Sequence, residues 1–335
     1  MSGSTSHTVL LTGSTGFLGS HVAEALVAEG YRVRCTVRKT SNLRWIESLP
    51  VDRVTADVRS PSQLAAALDG VDIVVHSAGL TRAKSDQDFY AVNAEGTQAL
   101  ANGALELGVR RFVLVSSLAA RGPDRRVSDA GSGSVGDRPA SVYGESKLAG
   151  ERRLFQAIAE SGGVMEAVIL RPGGIYGPRD EDSLNLFKVA KTGLLPVPTG
   201  KGRLQPVYVK DVADAVIRAV ARPDVDLKPI PIVGPEIVSW ADMGEALGDA
   251  VGKPVRLVKI PSPIWQVGGA VAEAAARLVR MPPQFDRRTA DDLSRLDWTA
   301  DPREAESSLG WRATTHLREA MEETGRWYRE HGWIK

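Results

Sequence analysis

A single cysteine, Cys35, stands in 335 residues, so no internal disulfide is available. It lies among Val33, Val37 and other strand-forming residues, which reads as a buried thiol in a reducing compartment. An excess of one charge is missing too. Lys and Arg number 42 against 41 Asp and Glu, a net charge of +1, and no block of roughly five or six like charges occurs. Nucleic acid and an anionic membrane surface therefore have no electrostatic support as main partners. No apolar run fits a membrane span, because the longest, from about Ile264 to Val279, is interrupted by Glu273 and Arg277. Met1 to His7 has neither the basic start nor the apolar centre of a signal peptide. These absences predict a cytoplasmic protein without a membrane span.

What is present is an ordinary globular composition, 43% hydrophobic and 25% charged, which excludes disorder as a class. At about 150 residues per domain the length suggests about two domains. Short apolar runs alternate with helical patterns through the first half. Val9 to Leu11 ends in Thr12-Gly13, and Leu18, Val22 and Leu26 follow at helical spacing, closed by Gly30. Val33–Val37, Ile73–Val75, Phe112–Val115 and Val168–Leu170 are further strand candidates. Helical stretches fall at 62–68, 89–107 and about 141–160. This alternation predicts an α/β fold: a Rossmann-type, doubly wound parallel sheet with helices on both faces.

The Gly- and Ser-rich residues 122–139 predict a surface loop. Beyond about residue 172 the rhythm breaks. Residues 1–171 are read as a dinucleotide-binding domain and 172–335 as mainly a smaller, substrate-binding one. Residues 205–221 return to the first: Val207-Tyr208-Val209 and the helix after it are expected to add the last strand–helix pair of the sheet.

Thr12-Gly13-Ser14-Thr15-Gly16-Phe17-Leu18-Gly19 lies where the first strand gives way to a helix. Small residues there let the backbone approach a pyrophosphate, and free N–H groups of the helix start meet its charge. The alternative is simply a tight turn. The end of the second strand usually separates NAD from NADP: an acid binds the ribose hydroxyls, a base accommodates the 2′-phosphate. Here Arg38 and Lys39 occupy that place, with no Asp or Glu between Tyr31 and Glu47. This favours NADP(H), with NAD(H) possible and a solvated basic pair as the alternative. Asp57-Val58 is positioned to reach the adenine, and Ser77-Ala78-Gly79 to pass beside the nicotinamide ribose. His76 reads as a core histidine.

Tyr143 and Lys147 stand four apart in a helical stretch, on one face. Bringing a phenol from about 10 to about 7 needs roughly 4 kcal/mol of preferential phenolate stabilisation. A nearby ammonium and the positive charge of a nicotinamide can supply it. Tyr143 would then exchange a proton with a substrate oxygen while hydride moves at the adjacent carbon. Ser116-Ser117 ends the fifth strand, and a hydroxyl there can orient that oxygen.

Together TGSTGFLG at 12–19, VNAEGT at 92–97, VSS at 115–117, YGESK at 143–147, RPGGIYGPRD at 171–180 and PVYVKDVADA at 206–215 resemble the extended branch of the short-chain dehydrogenase/reductase superfamily, the NAD-dependent epimerase/dehydratase family. The resemblance covers nearly the whole chain. It implies Ser117, Tyr143 and Lys147 as the catalytic triad. It implies Asn93 near the active site, Ser116 and Ile175 in the cofactor site, and Pro172 and Gly173 beside the nicotinamide. It also implies a homodimer through the helices at 89–107 and 141–160. Nucleotide-sugar enzymes of this branch commonly carry an Asn where this chain has Gly174. RPGGIYGPRD is similar to the 3β-hydroxysteroid and sterol dehydrogenases, and TVRKTSN to dihydroflavonol-type reductases, which use NADP(H). The expectation is an NADP(H)-dependent enzyme interconverting a secondary alcohol and a ketone on a small, hydrophobic substrate. A nucleotide-sugar epimerase or dehydratase with tightly held NAD is the alternative; a silent dinucleotide sensor is a third, against which Tyr143 and Lys147 both speak. The Ala- and Val-rich stretch 263–280 reads as a packed helix or as the wall of an apolar pocket, a space that Phe89, Tyr90 and Tyr176 could share.

Overall fold

In the computed structural model, residues 7–123, 136–199, 202–223, 225, 227–261, 263, 264, 267 and 297–335 are described. The core of the molecule is a seven-stranded, all-parallel sheet. Its strands are β1 (Thr8–Thr12), β2 (Arg32–Val37), β3 (Asp52–Thr55), β4 (Ile73–His76), β5 (Arg111–Val115), β6 (Glu166–Pro172) and β10 (Pro229–Ile232). The order is β10-β6-β5-β4-β1-β2-β3. β1 lies between β4 and β2, covered on both faces, and all five of its residues are buried. This is why it reads as an unbroken apolar run rather than an alternating one.

Alternation still decides which face each side chain enters. Val9 and Leu11 meet Val22 and Leu26 of α1 (Phe17–Ala28) and Val212 and Val216 of α8 (Val209–Ala221). Leu10 enters the opposite layer with Leu64, Leu100 and Leu154. These come from α2 (Pro61–Leu68), α4 (Gly96–Glu106) and α6 (Val142–Glu160). A third cluster gathers Phe187 of α7 (Glu181–Ala190), Leu195 and Val197 of β8 (Leu194–Pro198), and Leu247 of α9 (Trp240–Val251). Met321 and Tyr328 of the last helix, Leu317–Glu330, complete it. Among the described residues no helix is long and apolar enough to cross a membrane.

Three details depart from the sequence expectation. Val207-Tyr208 (β9) does not join the main sheet; it pairs in parallel with Ile175-Tyr176 (β7) outside it. The helix that follows, α8, does return to pack on the sheet. The outermost strand beside β6 is instead β10, whose sequence is Pro-Ile-Pro-Ile. Proline cannot donate to a ladder, and an edge strand is where that loss is tolerated. The helix expected over 89–107 is also divided: α3 (Asp86–Tyr90) and α4 flank a π-helical turn, Ala91–Glu95, which carries Asn93. Such turns are frequent at functional sites. Residues 124–135 of the expected loop, and most of 263–280, lie outside the described residues.

Candidate active site

The strand ends of a doubly wound sheet open into a crevice where its order reverses. Here that crevice is a cleft of about 1730 Å³ beyond β1, β4 and β5. Gly13, Thr15, Gly16, Phe17 and Leu18 form part of its wall. Gly13 has φ +74°, and a Cβ there would sit 2.7 Å from the backbone nitrogen of Ala78. A Cβ on Gly19 would collide with the carbonyl of Gly13. Gly16 caps α1 without a side-chain hydrogen bond, so the N–H groups of the first turn remain available. Close backbone and a bare helix start are what a pyrophosphate requires. The turn therefore fits a dinucleotide. Ser14 is turned away: fully buried, its hydroxyl donates to the carbonyl of Thr36 at 3.3 Å, tying the turn to β2.

At the end of β2, Arg38 lines the cleft and Lys39 does not. Ser41 folds back so that its hydroxyl accepts from the Arg38 N–H at 2.9 Å. Ser41, Arg44 and Arg59 also line the cleft, and the sequence pattern points to none of the three. Asp57 and Val58 line it as well. The Asp57 carboxylate is held by Arg59 through its backbone N–H at 2.9 Å and its guanidinium at 3.0 and 2.7 Å. That contact brings the acid down to about 2.

Ser77, Ala78 and Gly79 continue the wall after β4. His76 lies beneath it, buried, with Thr12 Oγ1 2.7 Å from Nδ1 and Thr97 Oγ1 3.1 Å from Nε2. Burial pushes its imidazole down to about 3. Asn93 is not part of the cleft wall. Its amide donates to the Leu80 carbonyl at 3.0 Å and to Ser146 Oγ at 2.9 Å, and its oxygen accepts from Leu80 N–H at 2.8 Å. It therefore fastens the loop after β4 to α6. Pro172, Gly173 and Ile175 line the cleft after β6.

Ser117, Tyr143 and Lys147 meet in the cleft. Ser117 begins the short helix α5 (Leu118–Arg121), its Oγ accepting from Ala119 N–H at 3.1 Å. Tyr143 stands in the first turn of α6, whose start is fixed by Ser141 Oγ accepting from Gly144 N–H at 3.2 Å. The Tyr143 ring lies 6.2 Å from that of Phe89. Burial raises its phenol, and a hydrogen bond with Ser117 opposes this. One turn on, Lys147 is 6% exposed and donates from Nζ to the Val115 carbonyl at 2.8 Å. Burial brings its ammonium down to about 8. Within the polypeptide alone, Ser117 rather than Lys147 is the group that pulls the phenol down.

Residues 9–233 match the NAD dependent epimerase/dehydratase family. The chain belongs to this family. A ceramide reductase from Caulobacter vibrioides is 32% identical over 327 residues, 97% of this chain and 96% of that protein. A UDP-glucose 4-epimerase from Vibrio cholerae is 26% identical over 94% of both. The crystal structure of DesIV, a dTDP-glucose 4,6-dehydratase from Streptomyces venezuelae with NAD and TYD bound, superposes with a TM-score of 0.77 at 25% identity. It covers 98% of this chain and 99% of its own. As a member of the epimerase/dehydratase family, the chain is an NAD(P)-dependent enzyme of the oxidoreductase and epimerase kind.

Proposed function

We propose that this enzyme interconverts a secondary alcohol and a ketone on an apolar substrate, using NADP(H) in preference to NAD(H). The convergence of Ser117, Tyr143 and Lys147 in one cleft carries the reading. A bound nicotinamide supplies or accepts the hydride at the carbon. The Ser117 hydroxyl orients the substrate oxygen, and Tyr143 Oη gives it a proton in reduction or takes one in oxidation. Lys147 holds the cofactor's ribose, and its charge, once the nicotinamide is bound, adds to the Ser117 hydrogen bond in favouring the phenolate. Gly13, Thr15 and Gly16 receive the pyrophosphate, while Arg38 with Ser41 forms the corner suited to a 2′-phosphate.

Apolar side chains in the cleft support a hydrophobic substrate: Phe89, beside Tyr143, and Val92, Leu186, Trp240 and Met243 all line it. The ceramide reductase relative supports a lipid-like carbonyl compound. Gly174 lines the cleft with nothing within 4 Å of where a Cβ would stand. It leaves space and offers no side-chain amide to a nucleotide diphosphate. The second reading, a nucleotide-sugar epimerase that never releases NAD, draws on the UDP-glucose 4-epimerase relative. Denaturing the purified protein and counting the released nucleotide separates the two. Exchangeable NADP(H), or little nucleotide, is expected; near-stoichiometric NAD retained through dialysis would overturn the reductase reading.

A further inference from the structure

Behind Tyr143 and Lys147 the same face of α6 carries another ionisable residue. Glu151 follows Lys147 by one turn and is 0% exposed. A carboxylate removed from water needs partners. Ser116 donates its hydroxyl to one oxygen. Arg171 donates Nε to that oxygen at 3.0 Å and Nη2 to the other at 2.5 Å. Arg171 also forks onto Asp137 at 2.8 and 2.7 Å. Ser116 lies in the cleft wall between Ser117 and Val115, the residue whose carbonyl receives the Lys147 ammonium. Neither the hydride step nor the proton step uses Glu151.

We infer that Glu151 is a positioning residue that keeps Lys147 charged, standing one turn along α6 from it and fixing through Ser116 the strand end that holds its ammonium. The inference rests on the roles proposed above for Tyr143 and Lys147. Burial works against the Lys147 charge, and Glu151 is the group that opposes it. The other ionisable groups nearby do not substitute. On α6, Tyr143 is a phenol pushed upward by burial. His76 on β4 is pushed down to about 3 and carries no charge near neutrality. Arg171 on β6 is itself positive, paired with Glu151 and Asp137. The π-helical turn brings Asn93, which is neutral.

The test reads Lys147 directly. Protein carrying ¹³C-lysine is titrated by NMR, with the Lys147 signal identified by its loss in Lys147→Met. In Glu151→Gln the Lys147 midpoint should fall by about one pH unit, and the alkaline limb of kcat/KM should move down with it. Glu151→Asp should lie between Gln and wild type. Asp137→Asn disturbs the outer half of the Arg171 fork and should move the midpoint less than half as far. An unmoved midpoint in Glu151→Gln, or an equal shift in Asp137→Asn, would overturn the inference. If the Gln variant does not fold, the Asp variant decides, because an unmoved midpoint there is equally fatal. A shifted midpoint with an unmoved kinetic limb supports the coupling of Glu151 to Lys147 and counts against the proton-transfer reading instead.

Discussion

Two glycines with nearly the same positive φ separate the conformational cost of the phosphate turn from its tight packing. Gly13 has φ +74° and Gly30 has φ +82°, so alanine at either is forced into a left-handed conformation. That placement costs about 1–2 kcal/mol for a residue with a Cβ. Around Gly30 nothing lies within 4 Å of the added carbon, whereas at Gly13 it would stand 2.7 Å from Ala78 N and 2.8 Å from Ala78 Cα. Those atoms are backbone leaving a central strand and cannot swing aside as a side chain could. Overpacking of this kind adds about 1–3 kcal/mol. Gly30→Ala should therefore lose about 1–2 kcal/mol, and Gly13→Ala about 2–5 kcal/mol. Urea denaturation compares the two, and calorimetric titration with NADPH gives the functional half. Gly13→Ala should weaken nucleotide binding at least about tenfold, because relief of the clash moves the turn off the pyrophosphate position; Gly30→Ala should leave it unchanged. Equal stability losses, or undiminished affinity in Gly13→Ala, would refute the argument that close approach of the turn to the strand after β4 shapes the site.

Tyr143→Phe should lower kcat by about 10²–10⁴ while NADPH affinity, measured by the same titration, stays within a factor of about two; retained turnover would remove Tyr143 from the chemistry. Arg38→Ala should cost NADPH about 10- to 100-fold in affinity, the worth of a charged hydrogen bond, and leave NADH nearly unaffected; equal losses would place the 2′-phosphate elsewhere. His76 is held neutral down to about 3 and His21 down to about 4, both by burial. The unfolded chain therefore binds more protons below about 6.5, and stability should fall as the pH drops from there toward 3. In His76→Gln that fall should be shallower, measured as unfolding free energy against pH; an unchanged slope would show that His76 is not held neutral.

The parts of this enzyme legible in the sequence are those whose chemistry lies within one turn or one strand. β1, β4 and β5 are readable because a parallel strand buried on both faces is an unbroken apolar run. Tyr143 and Lys147 are readable because a helix sets residues four apart on one side. β10 escaped because its two prolines argue against a strand, and the edge position that admits them exists only once β6 is in place. Ser14 and Asn93 sit inside recognisable motifs, yet burial turns both side chains toward the protein, where they tie the glycine turn to β2 and the loop after β4 to α6. Arg59 and Arg44 reach the cleft wall from two different loops, and it is the parallel pairing of β2 with β3 that brings those loops to one end of the sheet. Glu151 shows the same limit most sharply. Its place on the Tyr143–Lys147 stripe can be counted from the sequence. Its burial as a carboxylate depends on a guanidinium from β6 and a hydroxyl from the end of β5, residues 20 and 35 positions away. Spacing along a helix identifies which groups share the face of Tyr143 and Lys147, but the partners that let a carboxylate stay buried among them arrive from strands, and the folded sheet decides which of those are near.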